Sequence, residues 1–514
     1  MAVHGSRRWW GLGALALSLL ALGFDLTILN VALATLSADL NASTSQLQWI
    51  VDSYVLVFAA LLLPAGLLGD RFGRKRLLLV GMAVFGLASL GGALADSPGS
   101  VIVARAFMGI GAGIMMPLSM SILPAIFPPH ERTRAVAIWS ASMALGLPLG
   151  PLLGGWLLEH FWWGSIFLIN VPVVAVGAIA VAVLLPESRD TSAPRLDVVG
   201  TLLSVSGLTG LVYGITEGPA DGWSDPLIIG TIGAGLVLLT AFVLWERRLA
   251  QPMMDVRLFQ DPAFTWAVIA GTLGTVVMAG TLFVLPQYLQ VVQGNGVFDT
   301  GLRLIPMLLG LMAGGLATER LTARTGHKPL IVIGLFLLAA GLGWGALTET
   351  GDAYSSTAMW LSVLGVGVGL TMIPAMDVVL ARLPDDQAGR GSGLVQTLRQ
   401  TGGALGIAGL GSLLSVVYRD RIDLDGLPAE AAGTARDSIG GAAAVAERLG
   451  PPQSASRLLA SAQDAYVHGM NAALAVCALG ALIVALLVWI FQPPPERARP
   501  AADSPESDHE HVAS

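Results

Sequence analysis

Apolar and polar residues alternate along this chain in long blocks: extended water-avoiding runs separated by short charged joints. Leu56–Leu68, Val363–Ala375 and Ala472–Phe491 contain no Asp, Glu, Lys or Arg. A helix crossing a bilayer needs about 20 predominantly apolar residues. Cutting the chain on that length predicts fourteen spans, at about 9–33, 48–69, 77–95, 100–124, 134–158, 166–185, 197–216, 226–246, 263–287, 302–321, 329–348, 355–379, 392–417 and 468–491. The fold class is therefore an all-α polytopic membrane protein, and the even count puts both termini on one side.

Composition excludes the soluble classes. Hydrophobic residues make up 54% and charged residues 12% of the chain, and mean hydropathy is +0.71; soluble domains carry about 25% charge. No nucleic-acid partner is expected. Twenty of the 28 Lys and Arg fall in the joints and tails that are cytoplasmic if the N-terminus is, and only Arg303 lies in a short loop on the opposite face. Short loops orient a polytopic chain by their basic residues, so both termini are expected in the cytoplasm. The first run follows Arg7 and Arg8, has no small-residue cleavage site, and reads as a retained span rather than a signal peptide. A long outer segment, 419–467, has two Ala-rich stretches, 429–449 and 454–467, flanking Gly450-Pro451-Pro452, and is expected to form a helical hairpin. Residues 492–514 are rich in Pro, Ala and acids and are expected to be a disordered cytoplasmic tail. The single Cys477 cannot form an intrachain disulfide.

An eleven-residue stretch from Arg71 to Gly81 recurs from Arg324 to Gly334, offset by 253 residues, each copy leading from a basic loop into a span. Related halves enclosing a midplane site are a transporter pattern. The expected organisation is a six-helix bundle over 1–186, two inserted spans over 187–262, and a second six-helix bundle over 263–491 that includes the outer hairpin.

The first copy, Gly66-Leu67-Leu68-Gly69-Asp70-Arg71-Phe72-Gly73-Arg74-Lys75-Arg76, resembles the loop signature of the major facilitator superfamily between spans two and three. Asp70 can accept hydrogen bonds at a neighbouring helix N-terminus, and Arg71, Arg74 and Arg76 can pair across the two bundles; Ala323 replaces the Asp in the second copy. In span five, Gly146-Leu147-Pro148-Leu149-Gly150-Pro151-Leu152-Leu153-Gly154-Gly155 resembles the family's antiporter motif. Gly146, Gly150 and Gly154 recur every fourth residue, so they share one helix face and permit close packing. The resemblance narrows to the fourteen-span drug:proton antiporter branch through Asp25-Leu26-Thr27-Ile28-Leu29-Asn30-Val31-Ala32-Leu33, Gln48-Trp49-Ile50-Val51-Asp52-Ser53-Tyr54, Arg105-x-x-x-Gly109 and Arg399-Gln400-Thr401-Gly402-Gly403. Asp52 in its W-I-V-D-x-Y setting, with Trp162-Trp163-Gly164-Ser165, is similar to quaternary-ammonium and methyl-viologen resistance exporters. Some cationic-drug exporters of that branch carry extra acids deep in the C-terminal bundle, and no acid lies in span thirteen here.

The resemblance implies a monomeric exporter in the bacterial inner membrane that exchanges protons for lipophilic cations. It would use the proton gradient as its energy source and no cofactor. A single metabolite or self-made antibiotic is the alternative cargo. A charge at the bilayer centre costs about 2.5–3.5 kcal/mol, which makes intramembrane charges the candidate coupling residues. Asp25 lies about fifteen residues into span one, roughly 22 Å at 1.5 Å per residue. It can hold a proton in one state and face a cation in the other. Asp52 and Arg105 fall in the same outer half and are expected to complete a network with it, whereas Asp377 and Arg399 are expected to form a structural ion pair near the cytoplasmic side. Lys75 is followed by Arg and Lys328 by Pro, so the chain lacks the phosphate loop of an ATP-driven pump. No nucleophile constellation or metal cluster marks an enzyme.

Overall fold

The computed structural model describes residues 5–189, 197–249, 256–382, 388–449 and 452–493; most of the tail expected over 492–514 lies outside these. Among the described residues every regular element is a helix, and thirteen helices are long and apolar enough to cross a membrane. The α-helices are α1 (Gly5–Leu40), α2 (Thr44–Phe72), α3 (Arg74–Ala93), α4 (Pro98–Ile126), α5 (Pro129–His160), the short α6 (Ser165–Leu168) with α7 (Asn170–Leu184), α8 (Val198–Asp221), α9 (Pro226–Glu246), α10 (Pro262–Gln287), the short α11 (Val297–Arg303) with α12 (Ile305–Thr325), α13 (His327–Gly345), α14 (Tyr354–Ala381), α15 (Ala388–Arg421), the short α16 (Ala429–Asp437) and α17 (Ile439–Arg448), and α18 (Pro452–Phe491). The thirteen do not include α5, the 32-residue helix holding the span expected at 134–158; several of its side chains lie outside the described residues.

Helix starts follow local chemistry. Ser43 accepts from Gln46 N while Gln46 returns a bond to Ser43 N, and Ser97 does the same with Ser100. Asp225 and Asp261 cap α9 and α10, each with a proline at the first helical position, where its missing N–H costs nothing. Span six is split at Ile169, because Pro172 offers no N–H to the Leu168 carbonyl one turn earlier.

Glycines set which helices touch. A Cβ built at Gly146 would lie 2.7 Å from Gly23 Cα, and one at Gly154 would lie 2.8 Å from Ile28 Cγ1, so α1 and α5 run parallel at backbone distance. The corresponding helices of the second half do the same: a Cβ at Gly406 of α15 would lie 2.8 Å from Val276 O of α10. Gly109 and Gly113 bring α4 onto α2 as Gly365 and Gly369 bring α14 onto α12. The 253-residue repeat thus appears as repeated pairing. Helices α8 and α9 pack on each other and lean against α2 and α15 through α8, leaving Leu227, Ile229, Leu236, Val237 and Leu244 of α9 exposed.

The two ends of the molecule differ. Where α1 turns into α2, Gln48 Nε2 donates to Ile407 O (3.1 Å) and Ala408 O (3.0 Å) of α15, and Gln290 Nε2 donates to Val31 O (2.8 Å). Ser37 Oγ and Ser438 Oγ stand 2.8 Å apart, and Thr44 Oγ1 donates to Asp437 O (2.6 Å). These hydrogen bonds between 5–189 and 256–493, with Ser438 Oγ donating to Ala42 O, lie at the hairpin end. The opposite end carries the Asp70–Arg76 loop and is called the arginine end below.

The hairpin departs from expectation in two ways. Its first arm is two helices, because Ser438 adopts an extended backbone (φ −163°) and caps α17 by accepting from Gly441 N. Its second arm, expected at 454–467, is not separate but runs unbroken into the last span as the 40-residue α18. No glycine or proline interrupts 453–468 to stop it.

Candidate functional site

Asp25 lies in the middle of α1, on the stretch gripped by the α5 glycines. Its side chain is buried, 1% exposed, as is that of Arg105 at 2%. Arg105 Nη1 donates to Asp25 Oδ2 at 2.8 Å, and Asn170 Nδ2 donates to Asp25 Oδ1 at 3.0 Å and to Ser89 Oγ at 3.3 Å. Arg105 Nε donates to Ile50 O at 3.1 Å, and its guanidinium sits 4.1 Å from the centre of the Tyr54 ring. Five helices of the first half, α1, α2, α3, α4 and α7, thus join one network, in which α4 and α7 bond directly to the Asp25 carboxylate. The carboxylate has a charged and a neutral donor, and the guanidinium has a carboxylate, a carbonyl and an aromatic face.

Such a pair is costly to bury and costlier to halve, because removing one partner leaves the other charge unpaired. Arg105→Ala is expected to destabilise the protein by about 3–5 kcal/mol, read as a fall in the thermal midpoint in detergent. Combining it with Asp25→Asn is expected to recover part of that loss. A double variant as unstable as the sum of the singles would mean the two charges do not depend on each other.

Asp52 stands apart from this pair, against expectation. It is fully buried, and among the described residues neither carboxylate oxygen has a hydrogen-bond partner. It shares the face of α2 from which Gln48, one turn earlier, reaches α15, whereas Tyr54 occupies the face toward Arg105.

At the arginine end, Gly73 takes a left-handed backbone (φ 110°) that favours glycine, and a Cβ there would lie 2.8 Å from Glu187 Oε1. The N-terminus of α3 is met not by Asp70, as expected, but by Glu187, whose oxygens accept from Lys75 N (3.1 Å) and Arg76 N (3.3 Å). Asp70 instead accepts from Arg74 Nε at 2.7 Å, and Arg74 Nη1 donates to Ser121 O at 3.0 Å. Arg76 Nε lies 3.7 Å from Glu187 Oε2, and Arg71 leans over its neighbour Phe72. These contacts stay within the first half. A Cβ at Gly66 would meet open space, so packing does not require that glycine.

The span-five motif divides its work. Gly146, Gly150 and Gly154 face α1 around Asp25, with Gly150 against Phe24 O (2.6 Å to a built Cβ). Gly155 faces α11 of the other half, where a Cβ would lie 2.5 Å from Phe298 Cα, and Pro151 O abuts Gly301 of the same helix. The ion pair expected between Asp377 and Arg399 is not formed. Asp377 is exposed and its Oδ2 lies 4.0 Å from His327 Nε2, while Arg399 Nε donates to Thr275 Oγ1 at 3.2 Å. The physical reason is the seam of Gly402 and Gly406, which turns the Arg399 face of α15 toward α10.

Asn170, Ser89 and Glu187 were not among the residues singled out from the sequence. Asn170 lies in Phe167-Leu168-Ile169-Asn170-Val171-Pro172, a stretch that also resembles the drug:proton antiporter branch, and Glu187 is the first acid after span six; those were the only signals.

Residues 15–407 match the Major Facilitator Superfamily. The chain is 35% identical over 487 residues to the multidrug efflux pump LfrA of Mycolicibacterium smegmatis, covering 94% of this chain and 96% of that one. It is 33% identical to the tetracenomycin C resistance and export protein of Streptomyces glaucescens (97% and 94% covered) and 31% identical to the methyl viologen resistance protein SmvA of Salmonella typhimurium (94% and 98% covered). Among solved structures, a bacterial homologue of the human lysosomal transporter Spinster, in an inward-facing and occupied conformation, superposes with a TM-score of 0.67 at 18% identity, covering 95% of this chain and 98% of that one. This multi-pass, all-helical membrane chain belongs to the Major Facilitator Superfamily.

Proposed function

We propose that the protein is a secondary exporter that exchanges protons for lipophilic cations, such as quaternary ammonium compounds and dyes. The observation that carries the reading is the buried Asp25 carboxylate, the acidic half of an intramembrane pair with Arg105. Its single charge is one for which a proton, a cationic drug and Arg105 all compete, and competition for one charge is exchange. When Asp25 takes a proton or a drug, Arg105 keeps the Ile50 carbonyl and the Tyr54 ring as partners. Asp52 is the second candidate in this reading, a carboxylate with no partner on the face turned to the opposite half. The test is efflux in everted vesicles under an imposed pH gradient. A cation flux insensitive to that gradient would rule the reading out.

The basic joints support placing the arginine end in the cytoplasm, with both termini there. In that orientation the hairpin end is the outer side, closed here, and cargo enters from the cytoplasm. A Ser37→Cys, Ser438→Cys pair then tests whether the outer seal opens: the two oxygens are 2.8 Å apart, close enough for a disulfide after substitution. Oxidation of the double variant is expected to stop exchange, and reduction to restore it, with each single variant unaffected. Full exchange in the cross-linked protein would mean that this contact does not part during transport.

The relatives include proteins named for the export of tetracenomycin C and cephamycin. They favour a second reading in which the cargo is one specific antibiotic rather than a spectrum of cations.

A further inference from the structure

The second half holds a charge with no opposite charge beside it among the described residues. Gly402 and Gly406 draw α15 onto α10, and Arg399, one turn before Gly402, is carried against Thr275. Thr275 Oγ1 accepts from Arg399 Nε at 3.2 Å and itself donates to Gly271 O at 3.2 Å, which fixes the hydroxyl as the acceptor. The other side-chain neighbour is Met372 Sδ, 3.9 Å from Nη2. Arg399 forms no ion pair among the described residues, so most of its five N–H donors are uncommitted. The guanidinium borders a recess lined by Ala267, Gly271, Met372, Ala375, Met376 and Val395. The recess lies within the arginine-end half of α10 and α14, five to nine residues from Pro262 on one side and up to nine from Ala381 on the other.

An unpaired charge within a span is costly, and a planar guanidinium fork fits a carboxylate through two parallel hydrogen bonds. The flexible thioethers of Met372 and Met376 adapt to an apolar body beside it. We propose that Arg399 and this recess form a subsite for the carboxylate of an amphoteric cargo, a lipophilic molecule carrying a cationic group and a carboxylate together. The subsite rests on the reading of the cargo as a lipophilic cation and extends it. The cation end answers to the first half and the anion end to the second, so such a molecule engages both.

The test compares one rhodamine as its ethyl ester, a lipophilic cation, and as its free acid, a zwitterion, by fluorescence anisotropy on the purified full-length protein in neutral detergent. Wild type is expected to bind both. R399Q is expected to weaken the acid at least about tenfold while changing the ester less than about twofold, and R399K, with charge but no fork, is expected to fall between. If the ester fails to bind wild type, the cationic-cargo reading falls. If the ester binds but the acid-to-ester ratio is the same in wild type, R399Q and R399K, the Arg399 assignment falls alone; if R399Q does not fold, R399K decides by that ratio. Displacement of the acid by phosphatidylglycerol in wild type but not in R399Q would give the recess to a lipid phosphate and overturn the cargo assignment.

Discussion

Asp25→Asn is expected to reduce pH-driven accumulation of a lipophilic cation in everted vesicles to background, a loss of at least about a hundredfold, equivalent to about 2.8 kcal/mol at 1.4 kcal/mol per decade, in a protein that still folds. Transport should fail because an amide can neither carry the exchanged proton nor attract the drug. The fold should survive because the site has spare capacity. Asn170 Oδ1 has no partner in the present arrangement, so a rotated Asn170 amide can accept from the new Asn nitrogen while the new oxygen still accepts from Arg105. The remaining cost is a weaker bond to a charged donor, about 1–3 kcal/mol. A second readout separates coupling from damage. If proton and drug share one charge, adding drug to purified wild-type protein releases protons, and linkage makes drug affinity fall as proton binding rises. Asp25→Asn is expected to abolish the release. Coupling and proton release at wild-type levels in the variant would remove Asp25 from the mechanism.

Gly150→Leu is expected to be the most disruptive single substitution in the span-five motif. A Cβ at this position already collides with Thr27 Oγ1 and comes within 2.6 Å of Phe24 O and 2.9 Å of Ile28 N. Two of these neighbours are backbone and cannot rotate away, so the helices must separate. Overpacking a close seam costs about 1–3 kcal/mol even where side chains can adjust, and here Phe24 and Ile28 bracket Asp25, so separation also pulls the carboxylate off Arg105. The expected outcome is poor yield, a lowered thermal midpoint and no exchange, with Gly150→Ala intermediate. Gly13 in the same α1 has nothing within 4 Å of a built Cβ, so Gly13→Leu is the matched control and should be near neutral. Equal damage from both would mean that bulk in α1 and α5, rather than the seam, governs stability.

Some of this was legible in the sequence because it breaks the local rule. A carboxylate and a guanidinium inside apolar blocks are visible without coordinates, and so is a glycine every fourth residue, which led to the α1–α5 seam. What the sequence conveys about a helical residue is its depth; the direction in which it points depends on which faces the helices turn to each other. Asp52 and Asp25 lie in the same half of the span yet on different contacts, and only the packing of α2 between α4 and α15 separates them. Asp377 and Arg399 failed as a pair for the same reason, the glycine seam of α15 having chosen its neighbour. Ser89 and Glu187 carry no signature beyond being polar near the end of a helix, and the stretch around Asn170 marks a resemblance but not a partner; their roles come from what those ends meet. The hairpin error was of another kind: nothing between 453 and 468 breaks a helix, and the change from Ala-rich to strongly apolar residues marks a change of surroundings, not of conformation.

That unbroken α18 has a mechanical consequence. Forty residues at 1.5 Å each make a rod of about 60 Å, roughly twice the thickness of the hydrocarbon core. The strongly apolar half, Ala472–Phe491, is anchored in the second half of the molecule by its packing on α13 and α15, and the other half continues as a stiff arm bonded to the same half, Gln463 Nε2 donating to Val291 O and Tyr466 Oη to Val284 O. The arm is tied to the chain before α16 by Ser461 Oγ, which accepts from Asp423 N, and it packs on α17. A tilt of the second half by about ten degrees about the middle of the rod sweeps the tip, about 30 Å away, through about 5 Å. That travel exceeds the 2.8 Å separating Ser37 from Ser438, so a rotation too small to disturb the glycine seams becomes, at the end of the rod, a displacement large enough to part the contact between the halves.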